Sequence, residues 1–155
     1  YAGHANQLKE FMLDIIKLGD PNQAILFQPA KPVEDFDATL HALLDGMQAT
    51  MKASDGKGLA APQVGHGLSA IVLGDGRYPE MVNPRIVYSK GSERRQEACL
   101  SLPGLSVEVE RAEKVVIEAQ DRDGKPFVTN VRGPVARLIQ HEIDHLNGLL
   151  ISRFA

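Results

Sequence analysis

The feature that most constrains this chain is a His-Glu-Ile-Asp-His run at residues 141–145. Pro134 suits the first turn of a helix and Gly148 suits a C-terminal cap, so the sequence predicts a helix over about residues 133–147. Residues four apart on a helix lie about 40° apart around its axis. Both imidazoles therefore project from one face, where one divalent ion can bridge them, and the adjacent Glu142 can take a proton from water. The alternative is a pair of surface histidines on an amphipathic helix.

The third protein ligand decides which class of metalloenzyme this would be. Only ten residues follow His145, and none of them is Asp, Glu, His or Cys, which excludes the downstream glutamate of thermolysin-type enzymes. The metzincin pattern requires a histidine where Ile151 stands. The third ligand must come from upstream, where the candidates are the acidic residues, His4, His41, His66 and Cys99. A thiolate would complete a Cys-His₂ site with water in the fourth position, although a lone buried cysteine is usually a small hydrophobic residue.

Length, charge, hydropathy and cysteine count limit the number of domains, the kinds of partner and the cellular compartment. The 155 residues fit a single catalytic domain over residues 1–155. Residues 1–7 are polar and lack an initiator Met, and we interpret them as a disordered or processed tail. A net charge of −3 is too acidic for a general nucleic-acid binder, and no apolar run reaches the ~20 residues of a membrane span. The single cysteine excludes an intramolecular disulfide and suits a reducing compartment.

The hydrophobic pattern predicts an α+β domain. One further long helix is expected over residues 37–52, because a single apolar stripe is formed by Leu40, Leu43, Leu44, Met47 and Met51. A weaker helix over residues 8–18 would end at Gly19. Strands are predicted at residues 69–73, 84–89, 106–110, 114–119, 126–131 and 149–151, with a hairpin turn at residues 121–124. Arg94 and Arg95 are expected in a solvated loop.

Three motifs, in this order, resemble those of the peptide deformylases. Residues 56–63 are similar to G-x-G-L-A-A-x-Q, residues 97–101 to E-G-C-L-S, and residues 140–145 to Q-H-E-x-D-H. The similarity covers roughly residues 15–151. It implies small mixed or antiparallel sheets packed around a central helix that carries the HExxH motif. It also implies a metal-dependent hydrolase that removes the N-terminal formyl group from formyl-methionyl nascent polypeptides and releases formate.

The resemblance assigns roles to individual residues. One divalent ion, Fe²⁺ in the cell and replaceable by Zn²⁺, Ni²⁺ or Co²⁺, would be bound by Cys99, His141 and His145. Glu142 would accept a proton from the attacking water and return it to the leaving amine. The side-chain amide of Gln63 and the backbone N–H of Leu100 would stabilise the oxyanion. An alternative for the glutamine is a polar residue that satisfies a buried loop.

The resemblance also implies a substrate that binds as an added strand. The residues expected beside it are Gly56, Lys57, Gly58, Leu59, Glu97 and Ala98. Leu138 would wall the pocket for the methionine side chain, and it is equally a candidate core residue. Two of these residues depart from the family, since alanine at 98 replaces a glycine and lysine at 57 stands where Ile or Val is usual.

The expected partners are N-formyl-methionyl peptides, with no direct nucleic-acid binding and no membrane. Some members dock on the ribosome through a C-terminal helix that has no counterpart in the residues after His145, so we do not expect contact with the ribosome surface by that route. The expected location is the cytoplasm, or an organelle if a transit peptide has been removed. An alternative function is a deformylase-like protein with weak or altered activity on other N-acylated peptides.

Overall fold

The computed structural model describes residues 12–155, so the interpretation of residues 1–7 and the start of the weak helix lie outside the described residues. Two α-helices occur in this part of the chain, α1 (Ala38–Ala53) and α2 (Gly133–Leu146). Seven strands accompany them: β1 (Gly58–Ala60), β2 (Ala70–Leu73), β3 (Glu80–Lys90), β4 (Glu93–Cys99), β5 (Leu102–Arg111), β6 (Lys114–Gln120) and β7 (Pro126–Arg132). Short 3₁₀ helices lie at Gln23–Phe27, Ala61–Val64 and Ile151–Phe154.

The strands form two sheets. One has five strands in the order β1-β2-β3-β6-β7, and the other contains β4 and β5. Every pairing between these strands is antiparallel. The hairpin between β6 and β7 closes as predicted, with the Asp121 N–H donating to Lys125 O and Gly124 at φ +85°. The α+β prediction is confirmed.

The helix α2 lies against the five-stranded sheet and the 3₁₀ turn that follows β1. Its apolar face buries Ala136, Ile139 and Leu146 in a cluster with side chains from the sheet, namely Ile71, Met81, Val115 and Ile117. The Gly148 residue adopts φ +73° and ends the helix, because the following N–H of Leu149 then reaches Asp144 O at 2.9 Å. The predicted cap is therefore confirmed, and the helix holds its histidines on a packed support.

The helix α1 also follows its prediction. The Asp37 side chain accepts from the Leu40 N–H at 3.1 Å and caps the helix. The five residues of the predicted stripe are buried with Leu59 and Val72 of the five-stranded sheet.

Three local predictions are wrong. Residues 149–151 were expected to form a strand, but the chain enters the 3₁₀ helix Ile151–Phe154, which buries Leu150 and Ile151 against the β4–β5 sheet without a ladder. The weak helix is absent over residues 12–18, where Ile16 N–H instead donates to Gln63 O at 2.7 Å. Arg94 and Arg95 lie in β4 and not in a loop. Within residues 12–155, no helix is both long enough and apolar enough to span a membrane.

Candidate active site

Three side chains from two elements converge at the end of β4. Cys99 is the last residue of that strand, and His141 and His145 lie one turn apart on α2. One potential ligand atom from each lies within 4.8 Å of the other two, and Cys99 Sγ is 3.3 Å from His145 Nε2. All three side chains are buried. A thiolate and two imidazoles suit borderline-soft divalent ions such as Zn²⁺ or Fe²⁺, so the cluster fits one metal ion.

The other histidines considered as third ligands lie elsewhere. His41 Nε2 is 2.8 Å from Arg122 O, at the β6–β7 turn. His66 is exposed after the 3₁₀ helix Ala61–Val64. His4 lies outside the described residues.

Glu97 fixes which nitrogen of His141 can bind a metal. Its Oε1 lies 2.8 Å from His141 Nδ1, which leaves Nε2 as the ligand atom. Burial alone would raise the pKa of Glu97, but hydrogen bonds with His141 and Arg111 outweigh it and lower that pKa to about 2. The carboxylate is therefore charged and accepts the ring proton.

The two histidines differ in their electrostatics. Burial alone would lower the pKa of His141, but hydrogen bonds with Cys99 and Glu97 raise it to about 10. For His145, burial and the neighbouring positive charges of His141 and Arg111 lower the pKa to about 3. A metal ion bound here would have to displace a proton from the first ring and would meet the second as a neutral ligand.

Glu142 is the buried carboxyl group next to the cluster. Only 2% of the residue is exposed, and its Oε2 has no hydrogen-bond partner among the described residues. Burial raises its pKa to about 7, against the opposing charge of His141. A carboxyl group with this pKa can both take up and release a proton near neutral pH.

Gln63 places the donor end of its amide beside Cys99. Its Oε1 accepts from the Ala60 N–H at 3.0 Å. Its Nε2 donates to Ser101 Oγ at 3.1 Å and lies 3.7 Å from Cys99 Sγ. The glutamine thus satisfies the buried loop and also directs its N–H groups towards the ligand cluster, so the two alternatives from the sequence are compatible.

A cavity of about 680 Å³ opens beside the cluster. Its walls include most of the expected substrate residues, namely Gly56, Lys57, Gly58, Glu97, Ala98 and Leu138, together with the expected catalytic residues Gln63, Leu100 and Glu142. Leu59 is an exception, because its side chain is fully buried in the α1 core and does not line the cavity. Leu138 has both predicted characters, since it lines the cavity and packs against the core.

The cavity also has walls that the motifs do not indicate. These residues are Asp55, Glu93, Arg95, Gln96, Gly133, Pro134 and Arg137. Arg137 could have been found from the sequence, because it lies four residues before His141 and therefore on the same helix face. Asp55 directly precedes the first motif, whereas the remaining walls belong to β4 and the start of α2 and follow only from tertiary packing.

Two strand edges are open where they face the cavity. Among the described strands, β1 pairs only with β2, and β4 pairs only with β5. A Cβ added at Gly58 would lie 2.8 Å from Leu138 Cδ1 and 3.1 Å from Glu142 Oε2, so any side chain here would force Leu138 and Glu142 to shift. Free backbone groups on both sides of a cleft can pair with an extended peptide.

The fold and the site together define a metal-dependent hydrolase that acts on a peptide. The chain belongs to the Polypeptide deformylase family, whose profile matches residues 12–154. It is an enzyme that removes the N-terminal formyl group from nascent polypeptides. This agrees with the function implied by the three motifs, and the alternative of altered activity on other acylated peptides finds no support.

The chain is similar to deformylases over almost its whole described length. The peptide deformylase of Dictyoglomus thermophilum is 46% identical over 139 residues, which is 89% of each chain. Peptide deformylase 1 of Bacillus cereus is 46% identical over 144 residues, 91% of this chain and 90% of the relative. The crystal structure of a peptide deformylase from Legionella pneumophila superposes with a TM-score of 0.86 at 44% identity, covering 93% of this chain and 86% of the other.

Proposed function

We propose that Cys99, His141 and His145 hold one divalent metal ion, with Fe²⁺ as the physiological ion, and that the adjoining cleft deformylates formyl-methionyl peptides. The observation that carries the proposal is the convergence of three ligand atoms within 4.8 Å beside a buried carboxyl oxygen that has no hydrogen-bond partner within residues 12–155. When bound, such an ion acidifies water and polarises a carbonyl group. The same donor set accepts Zn²⁺, Ni²⁺ or Co²⁺.

Glu142 moves the proton in this proposal. Its Oε2 takes a proton from the water whose oxygen attacks the formyl carbon. As the C–N bond of the formamide breaks, the same oxygen gives the proton to the amine nitrogen, and formate leaves. The pKa of about 7 supports both transfers, because neither protonation state is strongly favoured near neutral pH.

Gln63 and Leu100 stabilise the negative charge that develops on the formyl oxygen. The glutamine amide is held by Ala60 N–H and Ser101 Oγ, so its N–H groups are oriented before the substrate binds. The backbone N–H of Leu100 is the second donor, adjacent in sequence to Cys99. Loss of one such donor typically raises a barrier by about 2.7–4 kcal/mol.

The substrate lies extended between the open edges of β1 and β4. Gly56, Lys57 and Gly58 flank it on one side, and the segment from Glu97 to Leu100 flanks it on the other. The methionine side chain enters the part of the cavity walled by Leu138. Lys57 is exposed at this wall and makes the rim less apolar than the usual Ile or Val would.

The described residues work as one catalytic domain, because the ligands come from both the β4–β5 sheet and the helix that packs on the other sheet. We place its action in the cytoplasm, where nascent chains are made, since the relatives compared above are bacterial. Contact with the ribosome surface stays a prediction.

An assay of matched peptides tests the function. Protein purified without oxygen should hydrolyse a formyl-Met tripeptide and leave its acetyl-Met analogue almost untouched, and elemental analysis should find one equivalent of iron. Equal rates on both peptides would contradict the deformylase proposal, and cleavage at internal peptide bonds would indicate a protease.

A further inference from the structure

Arg111, at the end of β5, bonds both elements that carry the metal ligands. Its Nε and Nη2 donate to the two oxygens of Glu97 at 3.0 and 2.9 Å. Its Nη1 donates to Asp144 Oδ2 at 2.5 Å. Glu97 lies two residues before Cys99 on β4, and Asp144 is the residue before His145 on α2. One guanidinium therefore links the thiol-bearing strand to the imidazole-bearing helix.

We propose that Arg111 is a positioning residue of the metal centre, which sets metal affinity by fixing β4 against α2 through Glu97 and Asp144. The proposal rests on the ligand set given under the proposed function. Arg111 hydrogen-bonds Glu97 and Asp144 but none of the three ligands, and it does not line the cavity. Its positioning effect therefore passes through these two carboxylates, and the lysine variant keeps the positive charge that also acts on His145.

The geometry requires the planar guanidinium group of Arg111, which we call the fork. Three N–H groups on one rigid guanidinium point to carboxylates on two different elements, whereas the ammonium of lysine is a single point charge. The side chain is 5% exposed, and that of Glu97 is 8% exposed. The two bonds to Glu97 are therefore shielded from water, whereas the bond to Asp144, whose side chain is 21% exposed, lies nearer the surface.

Two other arginines lie in the network, but neither holds both carboxylates. Arg137 is a residue of α2 and ties that helix to β4 and β5, because its Nη atoms donate to their backbone carbonyls. Its Nε lies 3.0 Å from Glu97 Oε2 but lacks the alignment of a hydrogen bond, so it does not fix that carboxylate as Arg111 does. Arg153 Nη2 is 3.3 Å from Asp144 Oδ2 and does not reach β4. Among the described residues, Arg111 alone hydrogen-bonds carboxylates of both β4 and α2.

The position of Glu97 connects this link to a ligand. The carboxylate that receives the fork also accepts from His141 Nδ1 at 2.8 Å. If the fork is lost, Glu97 can rotate, and the ring then loses the partner that fixes its orientation. Removal of such an outer partner of a histidine ligand typically weakens metal binding about 10–100-fold.

The chain offers a matched control for the test. Arg122 also bridges two carboxylates, with Nε 2.6 Å from Glu80 Oε1 and Nη2 2.9 Å from Asp45 Oδ1, but none of these residues lines the cavity. The Arg122→Met variant therefore removes a similar ion-pair network without touching the metal centre.

The experiment measures the Zn²⁺ dissociation constant by competition with a chromophoric chelator, and the free energy of unfolding of the metal-free protein. We expect Arg111→Lys and Arg111→Met to raise the dissociation constant at least tenfold, and to broaden or shift the thiolate-to-Co²⁺ absorption band of the cobalt-loaded protein. Arg122→Met should lower stability and leave both readouts unchanged. Asp144→Asn, which removes one acceptor charge at constant shape, should raise the dissociation constant several-fold.

Two results would overturn the inference. One is a dissociation constant within threefold of the wild type for Arg111→Lys, and the other is an equal weakening by Arg122→Met. Should Arg111→Met fail to fold, the lysine and Asp144→Asn variants still decide the question. If the wild-type protein itself fails to bind Zn²⁺, the ligand set is wrong and the proposed function fails with it. Tight wild-type binding with an indifferent Arg111→Lys would reject only the positioning role.

Discussion

Cys99 contributes the chemistry that distinguishes this site from a two-histidine pair. It is the one sulfur among the three clustered ligand atoms, and a bound divalent ion would hold it as a thiolate. In Cys99→Ser, a neutral hydroxyl replaces that thiolate, so we expect metal binding to weaken greatly. Metal content after dialysis checks this, and a variant that retains one equivalent as tightly as the wild type would contradict the Cys-His₂ assignment.

Glu142 is a second residue with a separable role. Since it is proposed to transfer a proton and not to bind metal, Glu142→Ala should keep the metal and lose turnover by the ~10²–10⁴-fold that is typical of a general acid–base group. Turnover and metal content should be measured on the same preparation. A metal-free, unfolded variant would instead make Glu142 a structural residue.

Ala98 lines the cavity at a position where the motif resemblance leads us to expect a glycine. It is exposed, pairs with Ser106, and precedes the register shift that turns Cys99 inward. Ala98 lines the cavity, so a methyl group that meets the backbone of the proposed substrate strand would overpack it, at a cost of about 1–3 kcal/mol. We expect Ala98→Gly to raise kcat/KM on a formyl-Met tripeptide several-fold.

The thermal midpoints of the wild type and of Ala98→Gly distinguish relief of overpacking from a simple loss of stability. If the methyl group points away from bound peptide, glycine would only loosen the strand and lower stability by roughly 0.5–1 kcal/mol. Unchanged or lower kcat/KM together with a lower midpoint would show that the alanine is neutral for catalysis.

At the scale of elements, α1 and α2 could be predicted because their signals are local. An apolar stripe, a capping aspartate and a terminal glycine each act within one or two turns. The strands β1 and β4 were missed for different reasons. The first has three residues, and the second has no buried apolar alternation, because Arg94 and Glu110 face each other across its ladder and form an exposed ion pair.

The residues of the candidate site likewise include some that a local sequence pattern predicts and others that only the tertiary structure reveals. The motif residues were predictable because their spacing carries the chemistry. The side chain of Leu59 packs in the core, so its predicted contact with the substrate is left to its backbone. The motif orders these residues along the chain but does not say which side of a strand faces the cleft. The Arg111 link joins residues 14 and 33 positions apart, so no local pattern could reveal it.

Gly148 gives a prediction for the end of α2. Its φ is +73°, and an added Cβ would lie 2.6 Å from Phe27 O. The left-handed conformation costs a non-glycine residue roughly 1–2 kcal/mol, and the overlap adds about 1–3 kcal/mol. We expect Gly148→Ala to lower the free energy of unfolding by at least ~2 kcal/mol on these terms.

A second glycine provides the control for that measurement. A Cβ at Gly67 would meet nothing within 4 Å, and its φ is not positive. Gly67→Ala should therefore change the free energy of unfolding by less than about 0.5 kcal/mol. Denaturant-induced unfolding measures this free energy for both variants. Equal effects of the two substitutions would show that the end of α2 tolerates a side chain.

At the scale of the whole molecule, the ligand cluster joins two units that have separate cores. The β4–β5 sheet packs with the residues around Leu150, while α2 packs on the five-stranded sheet. Cys99 belongs to the first unit, and both histidines belong to the second. A metal ion held by all three would therefore resist separation of the two sheets and not only organise the cleft.

This arrangement predicts a large effect of metal removal on thermal stability. A ligand that binds only the folded state stabilises it by about 4.1 kcal/mol at a free concentration of ~1,000 times its dissociation constant. For a chain of this length, 1 kcal/mol corresponds to roughly 2–4 °C in Tm. Chelation should therefore lower Tm by about 8–16 °C, and the metal-free protein should remain folded because its apolar clusters do not depend on the ion. Calorimetry of wild-type protein and Cys99→Ser, each with and without chelator, measures this. The variant should show little chelator effect, and an unshifted wild-type Tm would mean that the cluster does not tie the two units together.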